Sequence, residues 1–405
     1  MERHRKENMK DEYQRVYAEV NLDYVRENFE HIEKNLKPGT KVIGVLKTDG
    51  YGHGAIPIAR ELENRDSVFG FALATAEEAV IMRNSGIHKP LLILGYTFPY
   101  SYEKLILHDI RMTVFREDTL EELAQTCRKL SSAHDKKKAK VHIKVDTGMG
   151  RIGVSPDEQG LAFVKRALSY EEIEVEGIFT HFARADETDK TATIKQLQLF
   201  QNFVEHAEQE SGVCIPIKHC SNSAGIIELP EANFNVVRAG IILYGLWPSE
   251  EVHKNIVPLK PILSLYSRIV YVKEVPEGMP ISYGGIFVTP RKMRIATVPV
   301  GYGEGYPRGL SNKGSVLVHG HRVPVLGRVC MDQFMIDVTD LPEVKEGDLV
   351  TLIGVDGKEQ ITIEELGELS GRFNYELACD LGKRIPRVYT KGGKVLYTKD
   401  YYQDF

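Results

Sequence analysis

A lysine at the end of an apolar run is the first candidate for chemistry in this sequence. Lys47 follows the segment VIGVL, and the residues after it read TDGYGHG. A lysine at the end of a buried strand is partly desolvated, which lowers its pKa and makes the neutral amine available to form a Schiff base. The segment is also compatible with a lysine that extends its charged end to solvent.

An arginine in a glycine-rich turn is the second candidate. Arg151 lies in the segment DTGMGRIG, in which three glycines fall within six residues. Glycines let the backbone or a ligand approach closely, so an arginine held there suits a carboxylate or phenolate oxygen.

The strand before this turn carries charged groups. The two-residue period of a strand places His142, Lys144 and Asp146 of the segment VHIKVD on one face. Three polar side chains that point into a barrel need partners. They are compatible with an ordinary layer of ion pairs or with a functional site.

Two later segments add a phosphate site and a buried cation. A hydroxyl and free backbone N–H groups at a helix start, as expected at Ser223, make a phosphate site. Arg238 lies in the apolar run VVRAGIIL and needs a partner, for which His219 is a candidate. His181 and His219 are each also compatible with a purely structural role.

The elements that must position these residues follow a β-then-α alternation. Eight such units over roughly 230 residues predict a (β/α)8 barrel, in which catalytic groups lie at the C-terminal ends of the strands. A doubly wound sheet is the second choice, although no G-x-G-x-x-G follows the first run. The β-rich runs are VIGVLK (42–47), FGFALA (69–74), LLILGY (91–96), RMTVF (111–115), KVHIKV (140–145), VEGIFTHF (175–182), IKHCSNS (217–223) and VVRAGIILYG (236–245).

The pattern changes near residue 258. Later runs such as LSLYSRIVYVKEV and RIATVPVGY are β-rich and separated by turns, and only ITIEELGELSG looks helical. We therefore expect a charged N-terminal tail at 1–14, a barrel at 15–257 and a mainly β C-terminal domain at 258–405.

Composition narrows the class of function. Among 405 residues, 52 basic and 57 acidic side chains give a net charge of −5, which argues against nucleic acid and anionic membranes as partners. The five cysteines include no C-x-x-C pair, which favours neither a disulfide framework nor a zinc site and predicts a reducing, cytoplasmic compartment. The net charge therefore favours small-molecule chemistry. No signal peptide, membrane span or metal site is predicted.

Taken together, these segments resemble the alanine racemase family, whose barrel binds pyridoxal 5′-phosphate (PLP). The resemblance extends from about Val16 to Tyr389, and many ordered matches make chance agreement negligible. The matching segments are VLKTDGYGHG, KVDTGMGRIG, THFARAD, SNSAG, VRAGIILYG, ISYGG, VPVGYGEGYPRG and GRVCMDQFMIDV.

The resemblance implies a cytoplasmic, homodimeric isomerase that interconverts L-alanine and D-alanine, which supplies D-alanine for cell-wall synthesis. Two bases work from opposite faces of the substrate, as inversion at Cα requires. Lys47 matches the base that holds PLP and takes the proton of the D-enantiomer. Tyr283 matches the second base, which comes from the partner subunit and takes the proton of the L-enantiomer.

The resemblance also implies which residues bind the cofactor. Arg238 matches the residue that faces the pyridine nitrogen, with His219 supporting it and His181 stacking near the ring. Arg151 matches the residue that contacts the phenolic oxygen. The phosphate-binding positions match Tyr51, Asn222, Ser223, Gly240, Ile241 and Lys383.

The substrate end is implied in the same way. Arg151, Met331, Tyr302 and Asp332 match substrate-binding positions, and Lys144 matches a lysine that is carbamylated in many relatives. The substrate entryway matches Tyr302, Arg308, Arg328 and Asp186.

One position departs from the family, and three other functions remain open. Lys383 stands where the family usually has a tyrosine that narrows the pocket, so serine racemisation, alone or beside alanine, is the alternative. A PLP-dependent decarboxylase shares the domain plan but pairs the pyridine nitrogen with a carboxylate, unlike Arg238. A non-catalytic PLP-binding protein needs the barrel and Lys47 but no second domain.

Overall fold

The computed structural model describes residues 13–132 and 135–402. These residues divide into two compact units. One consists of Arg26–Gly50 and Ala55–Lys260, and the other of residues up to Val25, Tyr51–Gly54 and residues from Pro261 onward. Except for its last two residues, the predicted N-terminal tail lies outside the described residues.

The first unit is the predicted (β/α)8 barrel. Its eight parallel strands are β2 Lys41–Val45, β3 Val68–Leu73, β4 Leu91–Ile93, β5 Ile110–Val114, β6 Ala139–Lys144, β7 Ile173–Phe179, β8 Ile217–His219 and β9 Val236–Ala239. They are adjacent in the order β8-β7-β6-β5-β4-β3-β2-β9. Arg238 N–H donates to Ser221 O at 3.0 Å, which links β9 to the segment that follows β8 and closes the sheet.

Helices follow the strands, and several begin where the sequence provides a cap. Thr75 accepts from Glu78 N–H in a capping box, and Asp157 accepts from Gln159 and Gly160 N–H. The helices of this unit are α1 Leu22–Lys34, which begins in the other unit, α2 Ala55–Leu62, α3 Ala76–Asn84, α4 Tyr102–Leu107, α5 Glu117–Leu130, α6 Glu158–Ser169, α7 Thr191–Ser211 and α8 Ser223–Glu228.

The second unit is mainly antiparallel β. Its strands are β1 Val16–Asn21, β10 Leu263–Arg268, β11 Tyr271–Val275, β12 Pro280–Ile281, β13 Phe287–Val288, β14 Met293–Val298, β15 Ser315–Val318, β16 His321–Leu326, β17 Phe334–Asp337, β18 Leu349–Asp356, β19 Glu359–Ile361, β20 Arg387–Lys391 and β21 Lys394–Lys399. The large sheet has the order β11-β14-β17-β16-β15-β18-β10-β1-β20-β21, with β19 beside β18 and a separate β12–β13 pair.

Two features of this unit differ from the sequence-based expectation. Residues 16–21 were expected in the barrel, but they form β1, which pairs with β10 and β20 of the second unit. A second helix, α10 Asn374–Asp380, follows the expected helix α9 Ile363–Ser370. The N-cap position of α10 is Phe373, which makes no side-chain capping bond, so the usual start signal is missing from the sequence.

The described helices include none with the length and apolar character that crossing a bilayer requires.

Candidate active site

A buried arginine organises the C-terminal end of the barrel strands. Arg238 is 2% exposed, and its two terminal nitrogens donate to carbonyl oxygens and imidazoles. Nη1 donates to His219 Nδ1 at 2.7 Å and to His219 O at 3.0 Å. Nη2 donates to Thr180 O and Cys220 O at 2.8 Å each, and lies 3.2 Å from His181 Nδ1. Within the described part of the chain, none of the protein acceptors found for Arg238 is a carboxylate, and none bonds its Nε–H.

These contacts fix the protonation of both histidines. An arginine only donates, so Nδ1 of His219 and of His181 must be acceptors. Burial, and then the charge of Arg238, lower the pKa of both imidazoles well below the usual range. Both rings are therefore neutral, with the proton on Nε2. Burial also lowers the pKa of Arg238 to about 10, which leaves it charged at neutral pH.

A hydrogen-bonded chain continues from His219 into the barrel interior. His219 Nε2 lies 2.9 Å from His142 Nδ1, and His142 Nε2 lies 3.1 Å from Glu176 Oε2. Glu176 also accepts from Nε and Nη2 of Arg111 at 3.0 Å each. Each imidazole thus accepts at Nδ1 and donates at Nε2, and the chain ends on a carboxylate.

Sequence reasoning missed Glu176 and Arg111. Arg111 is the one charged residue of its strand, the same signal that singled out Arg238, whereas Glu176 lies on a strand that also carries Glu174 and so does not stand out. Gly177 makes the arrangement possible, because a Cβ atom there would lie 2.5 Å from His142 Nδ1. Burial alone raises the pKa of Glu176, but the hydrogen bonds from His142 and Arg111 outweigh it and lower that pKa to about 2.

Lys144 is buried close to the same arginine. Its Nζ donates to Val145 O at 2.7 Å and lies 5.7 Å from the centre of the Phe179 ring. Burial, and then the charges of Arg238 and Arg151, lower the pKa of Lys144 to about 8. Asp146, expected on the same face, instead accepts through Oδ1 from the N–H groups of residues 148–150.

The segment after Lys47 is a left-handed turn. Thr48, Asp49, Gly50 and Tyr51 all have φ between 49° and 63°. This conformation costs a non-glycine residue roughly 1–2 kcal/mol, so it needs support. Thr48 N–H donates to Glu78 Oε1 at 2.6 Å, and Asp49 Oδ1 accepts from Ala55 N–H at 2.9 Å.

Four of the expected phosphate-binding residues, Asn222, Ser223, Gly240 and Ile241, lie together at the starts of two short helices. Helix α8 begins at Ser223, with Asn222 as its N-cap. A short 3-10 helix, Ile241–Tyr244, begins directly after Gly240. Gly240 N–H donates to Ser223 Oγ at 3.2 Å, so these two helix starts are adjacent.

Arg151 and Asp186 belong to the barrel unit, whereas Tyr283, Tyr302, Met331 and Asp332 belong to the β-rich unit. Tyr283 begins the 3-10 helix Tyr283–Gly285 and is 71% exposed. Ser282 Oγ donates to Arg328 O at 2.7 Å, which places the Tyr283 turn beside the segment that leads to Met331. Tyr302 N–H donates to Cys330 O at 3.1 Å, and Asp332 accepts from Arg384 at 2.8 Å.

Tyr51 and Lys383 also lie in this unit. The Tyr51 ring is buried against Tyr375, with ring centres 5.9 Å apart, and burial raises its pKa. Lys383 is exposed, with its Nζ 5.9 Å from the centre of the Tyr401 ring.

Comparison with known proteins assigns the chain to a family. Models of the alanine racemase N-terminal and C-terminal domains match residues 20–248 and 262–389. The chain is 45% identical over 375 residues to the alanine racemase of Methanococcus maripaludis, covering 92% of this chain and 98% of that one. It is 46% identical over 374 residues to the alanine racemase of Halothermothrix orenii, covering 92% and 96%.

Solved structures agree with these sequence matches. The alanine racemase of Clostridium difficile 630 superposes with a TM-score of 0.90 at 39% identity, over 96% of this chain and 98% of that one. The alanine racemase of Bacillus anthracis with bound L-Ala-P gives 0.88 at 36% identity, over 97% and 99%. Fold and site thus define an isomerase built on a (β/α)8 barrel with a β-rich unit. The chain belongs to the alanine racemase family, and these relatives do not favour the serine alternative raised by Lys383.

The interior chain predicts an acid-sensitive contribution to stability. The lowered pKa of Glu176 stabilises the fold above the unfolded pKa of about 4.3, and this contribution is lost as pH falls towards 2. We expect it to be worth about 3 kcal/mol, since one pKa unit corresponds to about 1.4 kcal/mol. Glu176→Gln should therefore lower Tm clearly at pH 6 and much less at pH 3, as measured by calorimetry.

The exposed Glu174 on the same strand provides the control. Glu174→Gln should leave Tm close to wild type at both pH values. An equal loss of Tm at pH 6 and pH 3 in Glu176→Gln would contradict an ionised Glu176.

Proposed function

We propose that this protein interconverts L-alanine and D-alanine with PLP as its cofactor and acts as a homodimer with shared active sites. The observation that carries the proposal is the environment of Arg238. Its cation has a free Nε–H among the described residues and is held by carbonyls and neutral imidazoles. This environment suits an acceptor nitrogen that stays unprotonated, as the pyridine nitrogen of PLP would here.

The residues present fit the cofactor in other respects. The adjoining helix starts at Ser223 and Gly240 offer a hydroxyl and backbone N–H groups to a phosphate. Asn222, Ile241 and His181 are also assigned to the cofactor. Tyr51 and Lys383 are assigned to its phosphate from their match to the family. Arg151 is exposed, its charge contributes to the lowered pKa of Lys144, and it is assigned to the phenolic oxygen and the substrate carboxylate.

When bound, PLP would supply an electron-withdrawing ring that makes the Cα proton of the substrate acidic. Lys47 would hold the cofactor and move this proton on the face of the D-enantiomer. Tyr283 of the partner subunit would move it on the opposite face. Because Arg238 would not give the ring nitrogen a full proton, electron withdrawal would be limited, which would favour return of the proton to Cα over transamination. Met331, Tyr302 and Asp332 are assigned to the substrate side.

The surface around Tyr283 supports the shared site. Tyr283 is 71% exposed, and the apolar Met279, Ile286 and Val288 beside it in the chain are each more than 40% exposed. An open groove of about 510 Å³, lined in part by Met279 and Ile281, lies in the same unit. A second copy of this chain is the occupant that we propose for this surface, because Tyr283 then reaches another barrel.

Chiral chromatography tests the activity itself. Protein supplied with PLP should convert L-alanine to D-alanine, with far slower conversion of L-serine, no conversion of L-lysine and no release of carbon dioxide. Lys47→Ala should abolish both the reaction and the visible absorbance of the lysine-bound cofactor, whereas the exposed Lys41→Ala should retain both. Failure of the wild-type protein to form D-alanine would refute the proposal.

The two-base assignment predicts complementation between inactive chains. Lys47→Ala and Tyr283→Phe homodimers should each lack racemase activity. A heterodimer of the two variants should recover up to half of wild-type activity, because one of its two sites has both bases. Co-expression with two affinity tags and purification through both tags provides the heterodimer for the assay.

Proton exchange in D2O separates the two bases. Tyr283→Phe should still exchange the Cα proton of D-alanine, which Lys47 removes, and should not exchange that of L-alanine. An inactive heterodimer, or equal exchange of both enantiomers, would count against this assignment of Tyr283.

We also propose that Lys144 is carbamylated. Its pKa of about 8 leaves a fraction of neutral amine at neutral pH, which attacks carbon dioxide to form an N–C bond and releases a proton. The resulting anion would turn repulsion from Arg151 and Arg238 into attraction. With 13C-labelled bicarbonate, NMR should show a carbamate signal in wild type and in Lys140→Ala but none in Lys144→Ala. A wild-type spectrum without that signal would refute the modification.

A further inference from the structure

One buried amide contacts both loops that carry Arg151 and His181. Gln196 lies on α7 and is 6% exposed. Its Oε1 accepts from Ala183 N–H at 2.9 Å. Its Nε2 donates to His181 O and to Thr147 Oγ1, each at 3.3 Å. The Gln196 amide therefore accepts one hydrogen bond from the loop of His181, and it donates one to that loop and one to the loop of Arg151.

The chemistry of the partners fixes the orientation of this amide. Ala183 N–H only donates and His181 C=O only accepts, so Oε1 must face the first and Nε2 the second. Reversing the amide would bring like groups together in a region where burial makes unmet hydrogen bonds costly. The orientation of Gln196 is thus determined by the backbone of the loop that contains His181.

The two loops are also joined beneath the amide. Thr147 Oγ1 lies 2.7 Å from Thr180 Oγ1, and both threonines are buried. Thr180 O in turn accepts from Arg238 Nη2 at 2.8 Å. A Cβ atom at Gly148 would lie 3.5 Å from Gln196 Nε2, so the amide packs directly against the loop backbone.

The hydrogen bonds at the base of the Arg151 loop and within it join residues of that loop to one another. The loop is closed at its base, where Val154 N–H donates to Lys144 O and Asp146 N–H donates to Val154 O, each at 2.9 Å. Asp146 Oδ1 binds only N–H groups of the loop itself. The amide and the threonine pair therefore supply the polar link from this loop to the loop that contains His181.

We propose that Gln196 is a positioning residue for the racemase reaction, which holds the loops of Arg151 and His181 in register through Thr147, His181 O and Ala183 N–H. The inference rests on the roles proposed above for Arg151 and His181. Gln196 touches neither reacting atoms nor cofactor in this assignment, because it acts through backbone and threonine contacts.

Gln196→Met tests the proposal, since it keeps side-chain length and removes all three hydrogen bonds. Gln198→Met is the matched control, with the same substitution on the exposed side of the same helix. Hydrogen exchange of the purified full-length protein should show about tenfold faster exchange for Ala183 N–H in Gln196→Met, because a buried bond is lost. Gln198→Met should exchange like wild type.

Kinetics of the holoenzyme give the second readout. Misplacing Arg151 weakens its hold on the substrate carboxylate, so KM for alanine should rise by about tenfold in Gln196→Met, with a smaller fall in kcat. Gln196→Glu keeps the acceptor for Ala183 and loses the donor for His181 O. It should therefore restore slow exchange at Ala183 without restoring KM.

The outcomes distinguish this inference from the proposed function. If wild type makes no D-alanine, the proposed function fails, while the exchange experiment still tests the link between the loops. If wild type is active, an unchanged KM in Gln196→Met overturns the inference, whether Tm is unchanged or lowered. Faster local exchange together with raised KM supports it.

Discussion

The need to satisfy a buried guanidinium shapes much of the barrel site. Arg238 is almost fully enclosed, and burying a charge without partners is very costly. Its terminal nitrogens are met by His219, His181 and the backbone carbonyls of Thr180, His219 and Cys220. Those carbonyls come from residues at or just after the ends of β7 and β8. The ends of β7 and β8 must therefore converge on the Arg238 side chain. This fixes the surface at the C-terminal end of these strands against which a flat ligand would lie.

Compensating charge is kept at a distance from this arginine. Two neutral imidazoles, His219 and His142, separate it from the carboxylate of Glu176, which is itself paired with Arg111. A carboxylate placed directly on Arg238 would neutralise it locally and change what it offers a ligand. The chain instead orients each imidazole, so that Arg238 always faces acceptors. Stability of the interior and the electronic character of the site are thus linked through the same hydrogen bonds.

The eight barrel strands could be predicted because short β-rich runs alternate with helical segments along the chain. Lys47 and Arg238 stood out because a charge is unexpected at the end of, or within, an apolar run, and Arg151 because it lies in a glycine-rich turn. The Arg238–His219 contact followed from the same reasoning. Other features depend on long-range packing. Strand β1 pairs with β10 and β20, which lie more than 240 residues away. Gln196 lies on a helix in which several other polar residues face solvent, so only the fold shows that its amide is enclosed.

The backbone strain in the turn after Lys47 could not be predicted from the sequence. Glycine is expected where φ is positive, and Gly50 meets that expectation, but Thr48, Asp49 and Tyr51 adopt the same conformation. At roughly 1–2 kcal/mol for each of these three residues, the turn would not persist in isolation. Glu78, already occupied in capping α3, also binds Thr48 N–H, and Asp49 binds Ala55 N–H. The position of Lys47, the proposed catalytic lysine, therefore depends on Glu78, the capping residue of α3, about thirty residues further along the chain. In the same way, the position of Arg151 depends on the Gln196 amide of α7.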